Sequence, residues 1–198
     1  PGTNDYDHNL AVDNHSKGLF GYVKGAVNAN GNFTTGIIYN LKVSSAVING
    51  WNAEAAVVGT LENGAVSQVA VYSSKISGAY ENAGAVVGRA YGDTSVTGCY
   101  VENCQINLPT NNSYENGAGG LIGRTQGGKQ NISSNIVTGT TVQAYRKAAG
   151  LIGYILQPES VTISNDAVSA DVKINSAATN SNNGGKLYYG LMYAEVQG

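Results

Sequence analysis

The sequence predicts an all-β protein, a parallel β-solenoid (β-helix) of about five to six rungs with three short strands per rung. Three observations predict it. A four-residue motif recurs along the 198 residues, as Gly18-Leu19-Phe20-Gly21, Ala56-Val57-Val58-Gly59, Ala85-Val86-Val87-Gly88, Gly120-Leu121-Ile122-Gly123, Gly150-Leu151-Ile152-Gly153 and, decayed, Gly190-Leu191-Met192-Tyr193. Behind the motifs run apolar residues spaced five apart: Ile38, Val43, Ile48; Val66, Val71, Ile76; Val96, Val101, Ile106; Ile132, Val137, Val142. The composition, with 12% charged residues and 27 glycines, suits β-structure dense in turns and disfavours long helices.

The repeat length sets the architecture. The fourth residues of the motif copies, at 21, 59, 88, 123, 153 and 193, lie 38, 29, 35, 30 and 40 residues apart. A unit of about 30 residues cannot bury an apolar face alone, whereas like strands of successive units stack around one shared core. At the spacing of parallel strands, the stack is a rod about 25–30 Å long.

In chain order, residues 1–17 carry no apolar period and read as a linker or a partial N-terminal coil, and 18–198 as one domain. Asp5-x-Asp7-x-Asn9 has the opening spacing of a calcium loop. Leu10 stands where such a loop turns on glycine, and Ser16 where its bidentate glutamate belongs, so no metal is expected there. His8 and His15 have no partner cluster and read as solvated. From Gly18 each unit opens on the motif, read as a strand whose glycines permit close backbone approach. Two strands follow, alternating from Leu41 to Val43 and from Ala46 to Ile48. The fifth unit keeps Ile163 and Val168, then slips by one to Val172. In the motif strand both central residues are apolar, although strand neighbours face opposite sides. Phe20, Val58, Val87, Ile122, Ile152 and Met192 are therefore expected as an outward stripe in contact with another domain or protomer, unless a bend turns both columns inward.

The copies Gly18-Leu19-Phe20-Gly21, Gly120-Leu121-Ile122-Gly123 and Gly150-Leu151-Ile152-Gly153, with Val96-Thr97-Gly98-Cys99-Tyr100-Val101 in the third unit, resemble the GLUG-motif repeats of bacterial cell-surface proteins. The likeness covers residues 18–172; the copies at 56 and 85 lack the first glycine, and the last replaces its final glycine with Tyr193. The resemblance implies an exported protein of adhesin type, in a family whose repeats also accompany immunoglobulin-cleaving peptidases as non-catalytic modules.

Charge and hydropathy exclude several partners. A net charge of −2 without a basic patch argues against nucleic acid, and no apolar run approaches the length of a membrane span. The polar, Tyr-rich surface fits a secreted, extracellular piece of a larger protein. Trp51, Tyr80, Tyr114 and Tyr145 recur ahead of the motifs and, at one corner of successive rungs, form an aromatic column. Such a column stacks for stability or receives the apolar faces of a sugar chain. Glu81 and Glu115 follow their tyrosines and could share a cation or act on a glycosidic bond; solvated turn residues are the alternative. Cys99 and Cys104 sit five apart across a corner, either as a disulfide or as two buried thiols. Arg89 and Arg124 are equivalent in successive units, with no facing acids evident. No catalytic constellation, metal set or cofactor fingerprint can be assembled. The expectation is a non-enzymatic surface module, stalk or adhesin-like, whose partner is a host or bacterial surface glycan or protein. A carbohydrate-binding module using the aromatic column is the second reading, and a polysaccharide-degrading β-helix the third.

Overall fold

The computed structural model describes residues 16–78, 80–109, 117–176 and 188–197. Among them every regular element is a strand, and no helix is long and apolar enough to cross a membrane. Four stacks of parallel strands run side by side. The first holds Ser16–Lys17, Ala53–Ala55, Asn82–Gly84, Gly117–Gly119, Lys147–Ala149 and Tyr188–Gly190; the second holds Phe20–Lys24, Val58–Glu62, Val87–Tyr91, Ile122–Gln126, Ile152–Leu156 and Tyr193–Gln197. The third is a bent sheet. Its strands Ile37–Ser44 and Ala65–Tyr72 run through the bend, and later repeats split there, as in Thr94–Thr97 and Tyr100–Glu102. The fourth holds Val47–Gly50, Lys75–Gly78, Gln105–Leu108, Thr141–Ala144 and Lys173–Ser176. Pairing is position for position between repeats, as in Ile48, Ile76, Ile106, Val142 and Ile174.

Three expectations are corrected. A repeat carries four or five strands, not three, because the motif straddles a corner, its first two residues bending the chain and its last two opening the next strand. Ala56-Val57, Ala85-Val86, Gly120-Leu121 and Gly150-Leu151 form the bend between the first and second stacks. The bend turns both apolar columns inward. Val58, Val87, Ile122 and Ile152 are fully buried in the same core as Val57, Val86, Leu121 and Leu151, so they form no outward stripe. Only the end members keep exposure, Phe20 at 42% and Met192 half-buried. In the fifth repeat the partner of Val142 is Ile174, not Val172, because the turn at 169–171 is one residue longer. Ser16 and Lys17, in the segment read as a linker or a partial N-terminal coil, pair with Ala53 and Glu54 in the first stack.

Two further sets of corners share one device, a single residue in the left-handed region. Asn40, Gln68, Gly98, Ser134 and Asn165 bend the third sheet, and Ser45, Ser73, Asn103 and Gly139 turn the chain into the fourth. Asn and Gly tolerate positive φ best, which explains why the chain is so rich in them at these places. The residue after each of these bends points inward, and Ser74, Asn135, Thr140 and Asp166 brace the repeat before theirs. Asn135 Oδ1 accepts from Cys99 N at 2.9 Å, Thr140 Oγ1 from Cys104 N at 3.2 Å, and Ser74 Oγ from Ala46 N at 3.1 Å. Asp166 continues the first of these series by accepting from Asn135 N at 2.7 Å. These side chains satisfy the backbone N–H groups that a corner leaves without a sheet partner.

Candidate functional site

The first and second stacks lie against one another, and their contact gathers most of the buried charge. Tyr22, Thr60, Arg89, Arg124, Tyr154 and Glu195 pair in register along the second stack. They face the leading positions of the first stack, where Ser16 Oγ and Thr60 Oγ1 lie 2.8 Å apart. Arg89 and Arg124 are 2% and 1% exposed. Arg89 Nη1 lies 3.7 Å from Glu81 Oε2, an acid the sequence did not place opposite it, and Nη2 donates to Gln126 Oε1 at 3.1 Å. Arg124 donates to the same Gln126 oxygen. One repeat on, Lys147 Nζ lies 3.6 Å from the Tyr154 ring centroid and 3.1 Å from Glu195 Oε2, while the Arg124 guanidinium lies 5.8 Å from that ring. Burial holds the Lys147 ammonium below its usual pKa, against the opposing pull of the Glu195 carboxylate. From Glu81 to Glu195 these contacts link four successive strands of the second stack, and through Glu81 and Lys147 they reach the first, so the arrangement works as a cross-strap between stacks. Glu81 is committed to that strap.

The aromatic column is realised in part. Trp51 and Tyr80 stack with centroids 5.5 Å apart and planes 13° from parallel. Each ring spends one face on the other, which is the stabilising use of aligned aromatics. Trp51 is 53% exposed, Tyr80 and Tyr145 are half-buried, and the Tyr145 carbonyl accepts from the Tyr189 hydroxyl at 3.0 Å. Tyr114 and Glu115 lie outside the described residues, as do Asp5, Asp7, Asn9, His8 and His15. Among the described residues no three His, Cys, Asp or Glu side chains are grouped to hold a metal ion.

Cys99 and Cys104 are both free thiols, which corrects the disulfide alternative. The strand Tyr100–Glu102 separates them, and three extended residues advance the chain about 10 Å, beyond the roughly 4.4–6.8 Å Cα separation a disulfide needs. Cys99 Sγ donates to the Thr97 carbonyl at 3.5 Å and Cys104 Sγ to that of Glu102 at 3.4 Å. Burial pushes the Cys99 thiol up to about 11 and raises Cys104 as well. Iodoacetamide at pH 8 is expected to leave both unmodified in the native protein and to label both in urea; rapid native labelling would contradict the burial. The Cys99 shift also gives a pH signature. Its folded pKa lies above the unfolded 9.0, so the stability it contributes is complete below pH 9 and is lost as pH rises towards 11. Cys99→Ala is expected to flatten the decline of the urea midpoint in that window. An unchanged slope would sink the assignment.

Comparison with protein-family models, with curated proteins and with solved structures finds no match to this chain.

The outward side of the third sheet holds a feature that periodicity did not reveal. Tyr72 and Tyr100 project from adjacent repeats with ring centroids 5.7 Å apart and planes tilted by 46°. Lys42 Nζ stands 4.8 Å from the Tyr72 centroid. In register beside them lie Ala70, Glu102, Ile136 and Thr138. The two tyrosines sit in different columns, so no motif alignment brings them together.

Proposed function

We propose that the chain is a parallel β-solenoid of five to six rungs, a GLUG-like repeat module of exported bacterial surface proteins. It serves without catalysis as a rigid spacer and adhesion surface. The observation that carries this reading is the pairing of every repeat with the same positions of the next, in all four stacks. A core continuous along the stack resists bending, because each repeat is held by its neighbours on both sides. The corner residues brace the same direction, and the ion pairs Arg89–Glu81 and Lys147–Glu195 tie two stacks together. Both devices build a stiff element whose lateral faces are free to vary. The resemblance of the motif copies to surface-protein repeats supports the location.

The test is antibody labelling of intact cells of the bacterium that makes the protein, read by flow cytometry. Labelling of unpermeabilised cells is expected; labelling only after lysis would overturn the surface assignment.

A further inference from the structure

We infer that the outward face around Tyr72 and Tyr100 is a binding site for a neutral, linear, β-linked polysaccharide, a site that rests on the surface-module reading and gives it a ligand. Four outward positions form a square: Ala70 and Tyr72 on one repeat, Tyr100 and Glu102 on the next, with Tyr100 opposite Ala70 and Glu102 opposite Tyr72. The rings occupy one diagonal and tilt by 46°, and Ala70 leaves the floor between them low. The line continues on both sides, to Lys42 one repeat before and to exposed Ile136 one repeat after. It spans four repeats along the stack axis, about 14 Å at the spacing of parallel strands.

Three properties select the occupant. First, the repeat distance is close to the length of one pyranose unit, so an extended sugar chain lying along the axis offers successive rings to Tyr72, Tyr100 and Ile136. The apolar C–H faces of a β-linked chain match such a platform, as apolar surface matches aromatic rings generally. Second, the charges are few. Lys42 supplies donors and Glu102 acceptors for sugar hydroxyls, Asp171 lies beyond Thr138, and one cation against two acids is far short of the positive surface that a polyanion requires. Third, the patch is small. An aromatic side chain offers about 150–250 Å² in all, so two half-buried tyrosines with Ile136 fall well below the roughly 800 Å² per partner of a stable protein interface. The hydroxyls of Ser67, Thr97 and Ser133, in register on the adjoining arm of the sheet, extend the uncharged border.

The site differs from the Trp51–Tyr80 pair in two ways. Those rings lie nearly parallel and use a face on each other, whereas the Tyr72 and Tyr100 rings meet at 46° and do not stack face to face. Trp51 belongs to the first repeat of the stack, while Tyr72 and Tyr100 have paired repeats on both sides. Their exposure is a property of the lateral face.

The experiment is saturation-transfer difference NMR with cellohexaose and hexa-N-acetylchitohexaose on the whole chain, followed by titration. Transfer to at least one probe is expected from the unmodified protein. Tyr72→Ala combined with Tyr100→Ala is expected to weaken binding about tenfold or more with an unchanged circular dichroism spectrum, whereas Tyr80→Ala leaves it intact. Glu102→Gln, which keeps the shape, is expected to weaken binding severalfold and covers the case in which the double variant fails to fold. Absence of transfer from the unmodified protein to both probes overturns the inference. Binding that survives the tyrosine and Glu102 changes, or that is lost with Tyr80→Ala alone, also overturns it. Each of these outcomes leaves the cell-labelling result untouched, so failure of the site and failure of the surface-module reading are separable.

Discussion

Gly123→Ala is expected to be among the most damaging single-methyl changes in the chain, lowering the thermal midpoint by on the order of 10 °C. A Cβ built at Gly123 would lie 2.5 Å from the Gly88 carbonyl oxygen, 2.6 Å from Ala83 N and 2.9 Å from Ala83 C. All three atoms are backbone, so no rotamer change relieves the clash, and the first and second stacks must separate. Gly153 meets the same surroundings one repeat on, with Ala118 N at 2.5 Å and the Gly123 oxygen at 2.6 Å. Overpacking a tight interior costs about 1–3 kcal/mol and more when backbone must shift, and about 1 kcal/mol moves the midpoint of a chain this size by roughly 2–4 °C. Separation would also pull Arg89, on the second stack, away from Glu81, which leads into the first, adding to the loss. The control is Gly31→Ala in the loop at 28–32, where φ is +80° and nothing lies within 4 Å of the added methyl. It carries only the left-handed strain of about 1–2 kcal/mol. Differential scanning calorimetry of both variants decides the matter: equal, small shifts would mean that the stacks are not in close contact at Gly123.

The same glycine shows what the sequence discloses and what it hides. That Gly59, Gly88, Gly123 and Gly153 are equivalent is visible from the repeat, and so is the inward register of Ile38, Val66, Val96, Ile132 and Ile163. Those two patterns suffice for an all-β chain of parallel, stacked repeats. The number of strands is hidden because the corners are brief, a single left-handed residue at Gln68 or Asn103, too short to interrupt the spacing of five. For the same reason Val57 and Val58 resemble one strand with two apolar faces, when a bend separates them. The pairing of Arg89 with Arg124 can be read from the alignment of units, but Glu81 lies in the preceding turn and reaches Arg89 only after the chain doubles back. The Trp51–Tyr80 pair is legible because the rings are equivalent. Tyr72 and Tyr100 are not, since one follows the inward Val71 and the other precedes the inward Val101. Finding them requires the register first and the outward residues second.

Asn135→Ala is the second large effect, and it tests the bracing that runs along the corners. Asn135 is fully buried and uses both ends of its amide. Oδ1 accepts from Cys99 N at 2.9 Å, while Nδ2 donates to the Val96 carbonyl at 2.9 Å and to Asp166 Oδ1 at 2.8 Å. Alanine leaves the Cys99 N–H and the Val96 carbonyl without this partner and takes one donor from a carboxylate. An unsatisfied buried group costs about 1–3 kcal/mol, so a loss of roughly 3–4 kcal/mol is expected from urea denaturation. Apolar residues are not foreign to this slot, since Leu41 and Val69 occupy it in the first two repeats. What Asn135 adds is the link to Asp166, and that link is what a double-mutant cycle isolates. Asn135→Val alone leaves the Asp166 carboxylate with a donor missing. Asn135→Val together with Asp166→Ala removes both members of the pair, and the double variant is expected to be more stable than the sum of the single losses by about 1–2 kcal/mol. Strict additivity would show that the Asn135–Asp166 contact adds nothing to stability, and that Asn135 braces the stack through its bonds to Cys99 N and the Val96 carbonyl alone.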